Sequence, residues 1–279
     1  MYKITERTVL SEREIEFWII APRVAAKAQP GQFVILQVDQ FGERIPLTVC
    51  ETDEASGQIR VIFQVIGKST AELKHLNAGD ELQDVVGPLG KPTEIKNYGT
   101  VLVVGGGVGI AVLYPVIRGL KQAGNHVITI LGAKTKDLVI LREECAMYSD
   151  ELILVTDDGS LGQKGLVTDA MKAVFAREEI NQAWAIGPGI MMRYCTDVAT
   201  KAEVPIYVSL NPIMIDGTGM CGCCRVLVND QIKFACVDGP EFLGDQVDWD
   251  GFIQRMHQYH PEEEEAYQAY QEKQVQLNG

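Results

Sequence analysis

The residues best suited to chemistry are Asp216, Cys221, Cys224 and Cys236, in the run Asp216-Gly-Thr-Gly-Met-Cys221-Gly-Cys-Cys224 and the segment that follows it. Cys221 and Cys224 are separated by two residues, and eleven lie between Cys224 and Cys236. Plant-type [2Fe–2S] loops use C-x4-C-x2-C with a distant fourth cysteine. Here Asp216 stands at the first position of that pattern. Glycines at 217, 219 and 222 let such a loop turn tightly without a Cβ clash. Thiolates suit iron–sulfur clusters or zinc, so the spacing leaves two readings. A cluster makes the chain a one-electron relay, whereas zinc makes it a stapled, non-redox binding module. Cys223 and Cys224 are adjacent and their side chains diverge, so Asp216 and Cys223 are rivals for the fourth ligand position.

A second group of motifs suits phosphates and nucleotides. Gly105-Gly106-Gly107-Val108-Gly109 follows the apolar run 101–104 and opens a helical stretch, a turn that presents amide N–H groups to a pyrophosphate. Gly187-Pro188-Gly189, with Met191 just beyond, repeats that strand–turn–helix context. Asp157 and Asp158 end another strand, where carboxylates accept ribose hydroxyls and repel a 2′-phosphate. They favour NAD over NADP, and Lys134 and Lys136 argue the other way. Gly67-Lys-Ser69-Thr70 looks like the end of a P-loop, but Ile62 occupies the place of its first glycine, which argues against ATP hydrolysis. Ser69-Thr-Ala-Glu72 reads as a capping box opening a short helix whose N-terminus suits a flavin phosphate. Arg44-Ile-Pro46-Leu47-Thr48 offers a cation and a hydroxyl beside a restricted backbone. The four histidines have no metal-ligand spacing with the cysteines.

These motifs need a scaffold, and the hydrophobic pattern supplies one. Over 3–10, 16–20, 33–38, 45–51, 58–65 and 81–86 the chain reads as short strands parted by turns, an antiparallel β-barrel. Beyond it, apolar runs over 101–104, 127–131, 152–155, 183–186 and 206–208 alternate with helical stretches, the pattern of an open parallel sheet. Residues 97–117 carry no charge and approach the length of a membrane span, but five glycines and Pro115 interrupt them. The expected units are a barrel over 1–96, an α/β unit over 97–210, and a cluster loop with a helical tail over 211–279. The acidic run 262–265 reads as a solvated helix face.

Composition sets limits on partners. The chain has 279 residues, 46 % of them hydrophobic, and a net charge of −13. That charge opposes non-specific binding to nucleic acid or anionic membrane. Seven cysteines, an odd number clustered at metal spacing, suit a reducing compartment. The N-terminus lacks the apolar core of a signal peptide, so a cytoplasmic protein is expected.

Together the motifs resemble the ferredoxin-reductase family, in which a flavin-binding barrel precedes a nicotinamide-binding α/β unit. Arg44 to Thr48 resembles its first flavin signature, shifted in detail, and Ile66 to Thr70 its second. Gly105 to Ala111 resembles its nicotinamide motif, and Ile186-Gly-Pro-Gly-Ile-Met-Met192 its C-G-P-x-x-M segment, with Ile186 replacing the cysteine. The segments 211–221 and 234–240 narrow the resemblance. They fit the branch containing the electron-transfer subunits of dihydroorotate dehydrogenase B and the small subunits of NADH-dependent reduced ferredoxin:NADP+ oxidoreductase. In the latter an aspartate replaces the first cysteine. The resemblance implies FAD held by Arg44, Pro46, Leu47, Thr48, Val65, Ile66, Gly67, Ser69 and Thr70. It implies NAD(H) held by Gly106, Gly107, Val108, Gly109, Asp157, Asp158, Gly187, Pro188 and Met191, and a [2Fe–2S] cluster on Asp216, Cys221, Cys224 and Cys236. It also implies a heterodimer with a larger iron–sulfur flavoprotein that binds NADP(H) and bifurcates electrons, with ferredoxin reached through that partner. A dihydroorotate dehydrogenase B-type enzyme is the alternative assembly.

Overall fold

The computed structural model describes residues 1–278, and the side chains of 1–276. The first third is antiparallel: β1 (Tyr2–Val9), β2 (Glu14–Ile20), helix α1 (Pro22–Ala25), β3 (Phe33–Gln37), β4 (Arg44–Thr48), β5 (Glu51–Asp53), β6 (Gln58–Gln64), helix α2 (Lys68–Lys74), β7 (Glu81–Leu82) and β8 (Asp84–Leu89). The strands form two sheets, ordered β5-β6-β2-β1-β7 and β4-β3-β8. Ile4, Phe17, Val34, Leu36, Val61 and Phe63 meet between them as one dry core. The stretches over 45–51 and 81–86, each expected as one strand, are both divided. Val49 and Cys50 part β4 from β5, and Gln83 parts β7 from β8. The break lets the chain switch from one sheet to the other, which closes an antiparallel sandwich at its corners.

The parallel unit follows: β9 (Thr100–Gly106), α3 (Gly109–Gln122), β10 (His126–Ala133), α4 (Arg142–Met147), β11 (Glu151–Thr156), β12 (Gln163–Lys164), α5 (Val167–Phe175), β13 (Gln182–Ile186), α6 (Gly189–Lys201) and β14 (Ile206–Ser209). Its central strands are apolar on both faces because helices cover both. Leu102 and Val104 of β9 point into the core shared with α5 and α6. Val101 and Val103 point into the core shared with α3. The uncharged stretch 97–117 is therefore a buried strand, a turn and a helix. Among the described residues no helix is long and apolar enough to cross a membrane.

The last elements are β15 (Arg225–Val228), β16 (Gln231–Phe234), α7 (Ala235–Asp238), β17 (Glu241–Leu243), α8 (Trp249–Met256) and α9 (His260–Asn278). β17 pairs antiparallel with β14, through Tyr207↔Leu243 and Ser209↔Glu241. The sheet order is thus β12-β11-β10-β9-β13-β14-β17. Helix α8 packs on α6 and β15, and α9 returns across the molecule to α2.

Candidate redox site

The sheet order reverses between β9 and β13: strands 9 to 12 run outward one way, and 13 and 14 the other. Ligands of open α/β sheets bind in the crevice at such a switch point, beyond the carboxyl ends of the strands. Both glycine turns lie there. A Cβ on Gly109 would come within 2.5 Å of the Ile186 carbonyl oxygen, so glycine is what lets the two turns touch. A Cβ on Gly106 would lie 2.3 Å from the Met191 Sδ and 3.5 Å from Pro188 Cδ, and one on Gly187 would lie 2.7 Å from Met191 Cε. Gly106, Gly109, Gly187, Pro188 and Met191 therefore form one contiguous wall. Gly107 has φ of +56°, and a Cβ there would meet no heavy atom within 4 Å, so the turn faces open space. With Val108 it precedes the first turn of α3, whose free amides suit an anion.

Asp157 and Asp158 lie two strands away, at the end of β11, and both are exposed. Asp158 accepts from the Ser160 amide at 2.9 Å and hydroxyl at 2.6 Å, and these bonds hold its carboxyl below the usual range. The Asp158 amide donates to the Lys134 carbonyl at 3.3 Å. The acidic pair and the competing lysines thus share one corner of the sheet.

On the barrel, Arg44, Pro46, Leu47 and Thr48 occupy β4, the half-exposed edge of its sheet. Val65 donates its amide to the Arg13 carbonyl at 2.8 Å, which fixes the exit from β6. The helix expected to open at Ser69 starts two residues earlier, with Gly67 as its N-cap. Thr70 Oγ1 accepts the amides of Ile66 at 3.1 Å and Gly67 at 3.2 Å, so Thr70 is the capping side chain. Ser69 instead donates its hydroxyl to Glu43. Ile66 is 71 % exposed, and a Cβ on Gly67 would meet nothing within 4 Å. That open cradle beside the helix start fits a flavin phosphate.

The cysteine loop packs directly on this barrel. A Cβ on Gly217 would lie 2.5 Å from Leu89 Cδ1 and 3.2 Å from Ile35 Cγ1, on β8 and β3. Arg44 Nε donates to the Ile215 carbonyl, the residue before Asp216, at 2.9 Å, and Arg44 Nη1 approaches Asp84 at 3.4 Å. One arginine of β4 thereby ties the cysteine loop to β8 of the barrel. The candidate ligands fall into two pairs. Asp216 accepts the amides of Thr218 and Cys221, each at 2.7 Å, and the Thr218 bond most strongly holds its carboxyl in the ionised form. Cys224 and Cys236, both buried, hold their sulfurs 3.1 Å apart.

Cys221 is exposed and Cys223 half-buried. The amide of Cys223, directed at the Cys221 sulfur, lowers that thiol's pKa, while burial raises that of Cys223. Burial and the neighbouring sulfur push Cys236 up to about 12, where a bound metal would be needed to strip its proton. Among the described residues no three His, Cys, Asp or Glu side chains converge on one point. A zinc ion takes four donors at one point, whereas a binuclear cluster takes two at each iron. The buried Cys224–Cys236 sulfur pair suits one such iron, and the bond from the Cys221 amide to Asp216 keeps the other two candidates together.

Residues 211–248 match the family model of the iron–sulfur cluster binding domain of dihydroorotate dehydrogenase B. The chain is 53 % identical over 268 residues to a dihydroorotate dehydrogenase B (NAD(+)) electron transfer subunit homolog of Thermotoga maritima, covering 96 % of this chain and 95 % of that one. It is 35 % identical over 253 residues to the dihydroorotate dehydrogenase B electron transfer subunit of Bacillus caldolyticus, covering 88 % and 96 %. The chain belongs to the dihydroorotate dehydrogenase B electron-transfer subunit family. Within this family its fold follows a solved chain from the NADH-dependent reduced ferredoxin-NADP oxidoreductase, described for flavin-based electron bifurcation. The TM-score is 0.92 at 52 % identity, over 97 % of this chain and 98 % of that one. The ferredoxin reductase of carbazole 1,9a-dioxygenase, at TM-score 0.63 and 16 % identity, shares the fold alone.

The motifs do not mark every residue that organises this family member. Arg60 on β6 bonds Glu16 with Nε at 2.9 Å and Nη2 at 2.5 Å, and reaches Glu51 at 3.3 Å and Glu144 of α4 at 3.5 Å. Its signal in the sequence is a lone arginine between Ile59 and Val61 in an otherwise apolar strand.

Proposed function

We propose that this chain is the small, electron-transferring subunit of a heterodimeric oxidoreductase, exchanging hydride with NAD(H) through FAD and single electrons through a [2Fe–2S] centre. The contact of the cluster loop with the flavin barrel, through Arg44, Ile215 and Gly217, carries the reading, because it brings the two one-electron carriers onto adjoining surfaces. When bound, FAD takes two electrons as hydride and releases them singly, a conversion that joins nicotinamide to a cluster. The chain's own residues bind and orient. Gly106, Gly107 and Gly109 offer amides to the nicotinamide cofactor's pyrophosphate, and Gly187, Pro188 and Met191 wall the nicotinamide end. Asp157 and Asp158 take the ribose hydroxyls and disfavour a 2′-phosphate. Arg44 to Thr48 and Val65 to Thr70 hold the flavin. Cys224 and Cys236 would hold one iron, and Cys221 with Asp216 the other.

The partner is a larger iron–sulfur flavoprotein that binds NADP(H), with ferredoxin served through it. The motifs here leave no catalytic constellation for a second substrate, so the chain alone should reduce artificial acceptors with NADH but not couple NADPH oxidation to ferredoxin. Full coupled turnover by the isolated chain would reject the heterodimer. A dihydroorotate dehydrogenase B assembly is the second reading, favoured by the similarity to electron transfer subunits of that enzyme. Asp216 at the first ligand position weighs against it.

A further inference from the structure

Helix α9 takes no part in the sites described above. It runs from His260 to Asn278, directly after α8. Its half-buried residues, Ala266, Tyr267, Tyr270 and Gln274, recur along one helical face, and its other described side chains beyond Pro261 are exposed. That face lies on α2. The Tyr270 ring is centred 6.4 Å from that of His75, the residue closing α2, and burial holds the Glu72 carboxyl above its ordinary range despite the nearby Lys68 and Lys273.

Helix α2 needs such support. It has seven residues, about two turns, and helices that short are not stable in water without tertiary packing. Ala71 and Leu73 anchor its inner side in the barrel. Its outer side, with Glu72 and His75, meets α9. At the other end of the same route, Arg255 of α8 donates Nη2 to the Cys223 carbonyl at 3.1 Å. A continuous two-helix segment therefore joins the cluster loop to the turn at Gly67–Thr70.

We propose that α9 is a strap that holds α2 in its flavin-binding position, with Tyr270 as the positioning residue that seats it on His75. The proposal rests on the assignment of FAD to the Gly67–Thr70 turn. A ligand's apparent dissociation constant rises in proportion as the competent conformation is depopulated, so a strap that raises that population about fivefold tightens FAD about fivefold.

The test uses the full chain stripped of FAD but keeping its cluster, titrated with FAD and followed by flavin fluorescence. The variants are Tyr270→Ala, Tyr270→Phe and a chain ending after Pro261. Tyr270→Ala and the shortened chain should each weaken FAD about fivefold. Tyr270→Phe should restore wild-type affinity, because the ring and not the hydroxyl makes the contact. The visible circular dichroism of the cluster should be unchanged in all three, separating a local effect on α2 from general unfolding. Should the shortened chain not fold, Tyr270→Ala against Tyr270→Phe decides alone. Wild-type FAD affinity in Tyr270→Ala overturns the strap. A wild-type chain that takes up no FAD overturns the flavin assignment itself, and the strap with it.

Discussion

Arg118 of α3 places its Nη1 2.8 Å from Glu51 Oε1 on β5, across the boundary between the barrel and the parallel sheet. The other oxygen of Glu51 takes Arg60 at 3.3 Å, so one carboxylate bridges guanidinium groups from both units. Arg60 is only 10 % exposed, and a charge that far from water needs its partners. Glu51→Gln should therefore destabilise the chain by roughly 1–3 kcal/mol, more than a surface pair would. A double-mutant cycle with Arg118→Met checks it by chemical denaturation, and strictly additive losses would show that the contact carries no energy.

The ligand pairs make a graded prediction. Cys224→Ser and Cys236→Ser should abolish the [2Fe–2S] centre, since each breaks the buried sulfur pair. Cys221→Ser should destabilise it, and Asp216→Cys should keep a cluster with an altered absorption spectrum. Cys223→Ser should leave it assembled, because the loop uses the Cys223 carbonyl, through Arg255, and that group survives the change. Iron content and electron paramagnetic resonance read the outcome. A cluster lost in Cys223→Ser and kept in Asp216→Ala would transfer the fourth ligand to Cys223.

If the corner of the sheet holding Asp157 and Asp158 takes the adenosine ribose, as proposed, it sets the choice of nucleotide. In stopped-flow reduction of the FAD-loaded chain, NADH should outpace NADPH by about tenfold or more, equivalent to roughly 1.4 kcal/mol. Replacing both aspartates with alanine should narrow the gap. Faster reduction by NADPH in the wild type would assign the corner to Lys134 and Lys136 instead.

Glu241 supplies a pH-dependent prediction. The residue keeps some solvent contact, but its carboxyl is enclosed, and burial raises its pKa from 4.5 to about 7. Thr93, in the link between barrel and sheet, donates to it at 2.6 Å. Between these two values the folded chain binds more protons than the unfolded one, so this group's contribution to stability falls as pH rises from about 4.5 through 7. Glu241→Gln removes that titration. The variant should gain on the wild type with rising pH, by on the order of 2 kcal/mol at pH 8, with the smallest difference at pH 5. Melting temperatures at both values measure it, and a gap that does not change with pH would place the carboxyl in water.

Much of this was legible because it depends on local spacing. The two glycine turns each follow a fully apolar run, and a strand between two helical layers has to read that way. The spacing of Cys221, Cys224 and Cys236 marks them as candidate ligands, but it does not show that Cys224 and Cys236 hold their sulfurs together. What the sequence conceals is contact between distant segments. Nothing near Arg44 announces its bond to Ile215, 171 positions away, and Arg60 looks like a surface charge until β2, β5 and α4 surround it. Ser69-Thr-Ala-Glu72 fits a capping box and points to a start at Ser69, whereas Gly67, with no side chain to signal a cap, opens α2.

The antiparallel pairing of β17 with β14 has a bearing on how the chain can be divided. A shortened chain ending near residue 210 would keep the glycine turns but leave the outer amides and carbonyls of β14 bare, together with the Val208 side of the core. An uncovered strand rim of that kind recruits other chains. The cluster segment thus doubles as the cover that keeps the nucleotide-binding half from sticking to itself, and separating the two halves should yield aggregates rather than a working fragment.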